Sequence, residues 1–117
     1  MSCPEFIAQS FAVRTAAHLL HFSASTYAQH VALQTFYEGL IDLVDKYAEV
    51  YMGLYEQIKT FPSVAPPRMT PIPLLEDYLA SIAAELEEDH ESQALLNILA
   101  ELEELTAQSL TRLRFYK

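Results

Sequence analysis

The chain has 117 residues, 51% of them hydrophobic, only two glycines and a formal net charge of −9. That is enough for a single domain, residues 1–117, with its own core, and too apolar for a disordered segment. Seven scattered basic residues against sixteen acidic ones exclude a phosphate-gripping surface, so no nucleic-acid partner is expected.

Residues 5–22 contain few breakers and carry Phe6, Ile7, Phe11, Val13, Leu19 and Leu20, which predicts a first helix. "SAST" at 23–26 supplies small capping side chains and predicts a turn. Over residues 27–60, Leu33, Phe36, Leu40, Val44, Tyr47, Tyr51, Leu54 and Ile58 recur every three or four positions, the single buried stripe of a long second helix. Tyr37, Tyr47, Tyr51 and Tyr55 share that spacing and read as packing residues.

Five of the six prolines fall within "TFPSVAPPRMTPIP", predicting an extended connection over residues 61–73. Leu75, Tyr78, Leu79, Ile82 and Leu86 then mark a third helix at 74–88. Leu95, Ile98, Leu99, Leu102, Leu105, Leu110 and Leu113 mark a fourth at 92–115. "EEDHES" between them lacks glycine and proline, so one continuous helix is an alternative. Asp89 and Ser92 are candidate caps, and a single rod could not bury its stripe within the chain. The acidic group Glu85, Glu87, Glu88, Asp89 and Glu91, with His90, reads as an exposed join, or alternatively as a guide for cations. The expected class is all-α: two helical hairpins joined by a proline-rich crossover, a four-helix bundle of ferritin-like topology.

The longest uncharged run, residues 15–37, contains His18, His21 and His30 and is too polar to span a membrane. No secretion signal is visible at the N-terminus, and Cys3, the single cysteine, reads as an inert free thiol. A cytoplasmic setting follows as the expectation. With two glycines there is no phosphate loop or nucleophile elbow, and catalytic residues stay unknown.

The second helix carries His30 and Gln34 one turn apart, and Asp45 and Glu49 one turn apart, so each pair shares a face. His30 and Asp45 nevertheless lie about 22 Å apart along the axis, too far to share an ion within one chain. An antiparallel second copy removes that distance. The pairs His30–Glu49 and Gln34–Asp45 have equal residue-number sums, so a two-fold axis near Gly39 and Leu40 sets each histidine opposite a carboxylate of the other copy. The expectation is a homo-oligomer through this helix, with mixed imidazole and carboxylate sites suited to iron, zinc or manganese.

"HF" at 21–22, together with "YAQHVALQTFYEGLIDLVDKYAE" at 27–49, resembles the Dps family of ferritin-like proteins over roughly residues 15–55. The resemblance implies an intersubunit iron site with ferroxidase and iron-sequestration activity. It carries ligand roles onto His30, Asp45 and Glu49, and onto His21, with His18 a rival for the first nitrogen position. The sequence departs from the family's pattern at Gln34, where an acid stands, and at Phe22, where a tryptophan stands. It also has a shorter loop after His21 and no lysine-rich tail. It looks more like short, divergent relatives in bacteriophage genomes, which would place it in the host cytoplasm or the virion. Two further readings compete: a metal-free helical structural or interaction subunit, and an acidic mimic of nucleic acid, against which the scattering of the acids argues.

Overall fold

A computed structural model describes residues 2–88 and 92–116. It is all-helical: α1 (Cys3–Phe22), α2 (Tyr27–Leu54), α3 (Pro71–Glu87) and α4 (Gln93–Phe115), with no strand among the described residues. None of these helices is long and apolar enough to cross a membrane.

Each helix starts where local chemistry satisfies its free amides. Ser2, Thr26 and Ser92 accept from the backbone N–H three residues on, capping α1, α2 and α4. Asp89, the other expected cap, lies outside the described residues with His90 and Glu91. Helix α3 begins at Pro71, earlier than expected, because a proline in the first turn gives up an amide that has no helical partner anyway. Helix α2 ends at Leu54, short of the expected residue 60. Ile58 still packs against the core, but from the extended crossover. The crossover therefore spans 55–70.

The helices pack in the cyclic order α1, α2, α4, α3. Helix α3 runs antiparallel to α1: Ser10 meets the Tyr78 hydroxyl at 2.8 Å, and Gln9 donates to Ser81 at 2.8 Å. Helix α4 runs antiparallel to α3, with Arg114 on Glu76 at 2.7 Å, and to α2, with Lys46 on Glu101 at 3.6 Å. Helices α2 and α3 are thus parallel and face each other across the core, where Phe36 meets the edge of Tyr78. Parallel neighbours in a chain require a connection as long as the helices. The crossover makes it along α1, from Phe61 and Val64 beside Phe11 and Ala12 to Arg68 and Met69 beside Leu19 and Leu20.

The core is built from Phe6 and Ile7, then Leu33, Phe36, Leu40 and Tyr47, then Leu74, Leu75, Tyr78 and Ile82, then Leu95 and Leu99. Helix α1 buries only part of the apolar content that predicted it. Its inner face uses Ser10, Ala12, Ala16 and Ala17, while Phe11 and Leu19 are exposed. Small residues let the helices approach closely there, and the Ser10 hydroxyl is satisfied by the Phe6 carbonyl at 2.8 Å.

The expected two-fold axis at Gly39 and Leu40 finds those positions used inside the chain. Leu40 is fully buried, and a Cβ on Gly39 would stand 3.1 Å from Leu105 Cδ2 of α4. The outward face of α2 instead carries Glu38, Asp42, Asp45 and Glu49. Gly39→Leu should therefore destabilise the single chain by about 1–3 kcal/mol through overpacking. The loss should not depend on protein concentration in a thermal melt, and Leu105→Ala should recover part of it. A loss that shrinks as protein concentration rises would place the contact between chains.

Candidate functional site

The α1–α2 hairpin gathers three of the four histidines. His21 ends the last turn of α1 and His30 stands in the first turns of α2, and their rings stack at 3.7 Å between centroids, 25° from parallel. His21 Nδ1 donates to the His30 carbonyl at 2.9 Å, and His30 Nδ1 donates to the His21 carbonyl at 2.9 Å. The second bond satisfies a carbonyl that the end of α1 leaves without a helical partner. A carbonyl oxygen only accepts, so each Nδ1 carries a hydrogen, and in the neutral rings each Nε2 carries a lone pair. The turn is held from the other side by Gln29, whose backbone N–H is bonded to Thr26 Oγ1 and whose side chain accepts from Ser25 N.

Rings extend the pair in both directions. His18 lies on Tyr37 at 4.1 Å and on Phe22 at 5.3 Å, and Tyr27 stacks on His30 at 6.2 Å. The Arg14 guanidinium sits over Tyr37, 5.6 Å from its centroid, and its buried Nε has no hydrogen-bond partner.

Asp45 and Glu49 stand apart from this cluster, exposed on the far half of α2. Gln34, at the position where the resemblance expects an acid, donates to Glu38 at 3.1 Å. Among the described residues, no three His, Cys, Asp or Glu side chains are arranged to hold a metal ion. One chain therefore joins His18, His21 and His30 and does not join them to the carboxylates.

Residues 21–113 match DUF5856, a family of unknown function. The chain belongs to that family. This overturns the resemblance to Dps: the family that matches is one of unknown function, no Dps or ferritin-like family matches, and the shared His, Asp and Glu spacing is what three- and four-residue helical periodicity produces on any polar helix edge. His21, His30, Asp45 and Glu49 fall inside the matched region, and His18 just outside it. An uncharacterized 14.6 kDa protein from the mobD–ri intergenic region of Enterobacteria phage T4 is 35% identical over 60 residues, 51% of this chain and 46% of that protein. The similarity thus spans about half of the T4 protein's length. No solved structure matches.

A second polar centre lies at the opposite end, where a solvated acidic join was expected. Glu85 is 1% exposed, and its Oε1 accepts from the Tyr47 hydroxyl at 3.1 Å. The signal was present in the sequence: Glu85 continues the inward spacing of Leu75, Tyr78 and Ile82. Burial, and then the charge of Glu85, raise the Tyr47 hydroxyl's pKa. The same two causes push the Cys3 thiol up from the ordinary 9.0 to about 12, against the hydrogen bond from Tyr47.

The raised thiol has a testable sign. Between 9.0 and about 12 the unfolded chain has lost the proton that folded Cys3 keeps. Its contribution to stability is therefore complete below pH 9 and is lost as pH rises through that window. The fall in thermal midpoint above pH 9 should be shallower in Cys3→Ala, and iodoacetamide at pH 8.5 should label Cys3 in urea but not in the native chain. Equal native and denatured labelling would contradict the burial.

Proposed function

We propose that this chain is a metal-free helical interaction subunit, built on a four-helix bundle, that docks another polypeptide through the end carrying the α1–α2 turn and the α4 C-terminus. One observation carries the reading. Phe22 (71%), Tyr27 (81%), Phe115 (71%) and Tyr116 (62%) are all exposed at that end, next to Leu19, Val31, Arg112 and Arg114. Aromatic and arginine side chains with few acids among them are the composition of an interface core, and such a concentration of large apolar groups marks a surface that another molecule covers. The likeness to a phage T4 protein supports a phage-encoded setting. Photo-crosslinking side chains placed at Tyr27 and Tyr116 should give discrete adducts in cells that naturally express the chain, while the same group at Glu103 gives none. Matching patterns at all three positions, or none at any, would remove the reading.

A second reading, iron or a similar metal between subunits, draws support from the imidazole pair. Metal-bound histidines commonly donate their other ring N–H to a carbonyl, as both rings do here. Carboxylates Asp45 and Glu49 would have to come from another copy. His30→Ala and Glu49→Ala proteins, mixed after demonstrated subunit exchange, should then recover metal up to one site per heterodimer. Wild-type protein that retains no iron, zinc or manganese would end this reading.

A further inference from the structure

At the same end, α2 and α4 leave a groove of about 260 Å³ lined by Tyr27, Ala28, Val31, Ala32, Arg112 and Tyr116. Its walls are almost wholly apolar except for Arg112. The guanidinium Nη1 of Arg112 is enclosed and has no hydrogen-bond partner, and Arg112 makes no ion pair among the described residues. Its neighbour Arg114, by contrast, is neutralised by Glu76 at 2.7 Å. On the other side of Arg112 and Tyr116 lies a polar notch that includes Gln108 and Thr111. The Thr111 hydroxyl already donates to the Ala107 carbonyl, so Gln108 is the neutral donor available there.

A cation without a counter-charge at the edge of an apolar groove selects a particular ligand. The charge calls for an anion, and the planar guanidinium fork matches a carboxylate. A single arginine with apolar surroundings suits a monoanion and not a phosphate. The apolar wall calls for a hydrocarbon or aromatic group beside that carboxylate, and the volume is below that of most cofactor pockets. A last residue with an apolar side chain and a free C-terminus carries both groups on one carbon. Beyond the groove the same end exposes further apolar side chains, Phe22 and Leu19, in addition to Tyr27 and Val31. A polypeptide leaving the groove covers those side chains, whereas a lone fatty acid would leave them exposed.

We propose that this groove captures the C-terminal carboxylate of a partner chain, with the partner's last, apolar side chain against Val31, Tyr27 and Tyr116 and the carboxylate on Arg112. The proposal rests on the interaction-subunit reading and names the partner's chemistry. Capture of a C-terminal carboxylate is an established mode of peptide recognition, and here the arginine fork would take the place of backbone amides.

The test uses the full chain and N-terminally labelled hexapeptides ending in Leu, Phe or Val, each as free acid and as C-terminal amide, followed by fluorescence anisotropy. At least one free acid should bind saturably, its amide at least tenfold more weakly. Arg112→Gln should weaken the free acid by a similar factor without altering the melt, and Val31→Glu should abolish binding. Decanoate should not displace the peptide at comparable concentration. Equal binding of acid and amide in the wild-type chain, binding by no free acid, or preferential binding of decanoate would each overturn the proposal. If crosslinks at Tyr27 and Tyr116 persist when the peptides fail, only the carboxylate assignment falls. If both fail, the interaction reading falls with it.

Discussion

The crossover is the constraint on which the rest of this structure depends. Two helices that run in the same direction cannot be joined by a tight turn, so residues 55–70 must travel the length of α1 before α3 can start. Prolines suit that segment because they hold it extended and ask for no ladder of amide hydrogen bonds. Once it is laid down, α2 and α3 face each other across the core, and Phe36 meets Tyr78 while Tyr47 meets Glu85. The helical hairpins on either side of the crossover close the ring.

That topology also sorts the surface. The α1–α2 turn, the start of α3 and the end of α4 share one end, which holds Arg112, Arg114, Arg68 and the exposed aromatic side chains. Among the described residues its carboxylates are Glu76 and Asp77, and Glu76 is engaged with Arg114. The other end holds Glu5, Glu49, Glu56, Glu87 and Glu88 at its surface. A net charge of −9 therefore conceals an uneven distribution, with the arginines and exposed aromatic side chains at one end and most of the acids towards the other.

The histidines illustrate how one pattern can support two readings. Three imidazoles close to a helical turn look like ligands when only their spacing is known. In the structure two of them serve as reciprocal clamps, each closing a bond to the other's backbone, and the third is stacked on Tyr37 and Phe22. This use joins the end of α1 to the start of α2 independently of any ion. It leaves the Nε2 atoms of both rings outside these bonds.

By itself the sequence determined the all-helical class, the four segments, the turn at 23–26 and the extended crossover, because apolar periodicity, caps and prolines act over a few residues. It also identified most of the inward stripes of α2, α3 and α4. Tertiary structure alone decided which half of α1 faces inward, since Phe11 and Leu19 are as apolar as Phe6 and Ile7, and only the crossover and the neighbouring helices distinguish them. It decided that Gly39 serves α4 of its own chain and that Ile58 is packed without being helical. It decided, too, that Glu85 is a core residue: a carboxylate reads as solvated until a partner such as the Tyr47 hydroxyl, thirty-eight positions away, arrives beside it. Contacts of that range depend on how whole helices are arranged, and no local spacing encodes them.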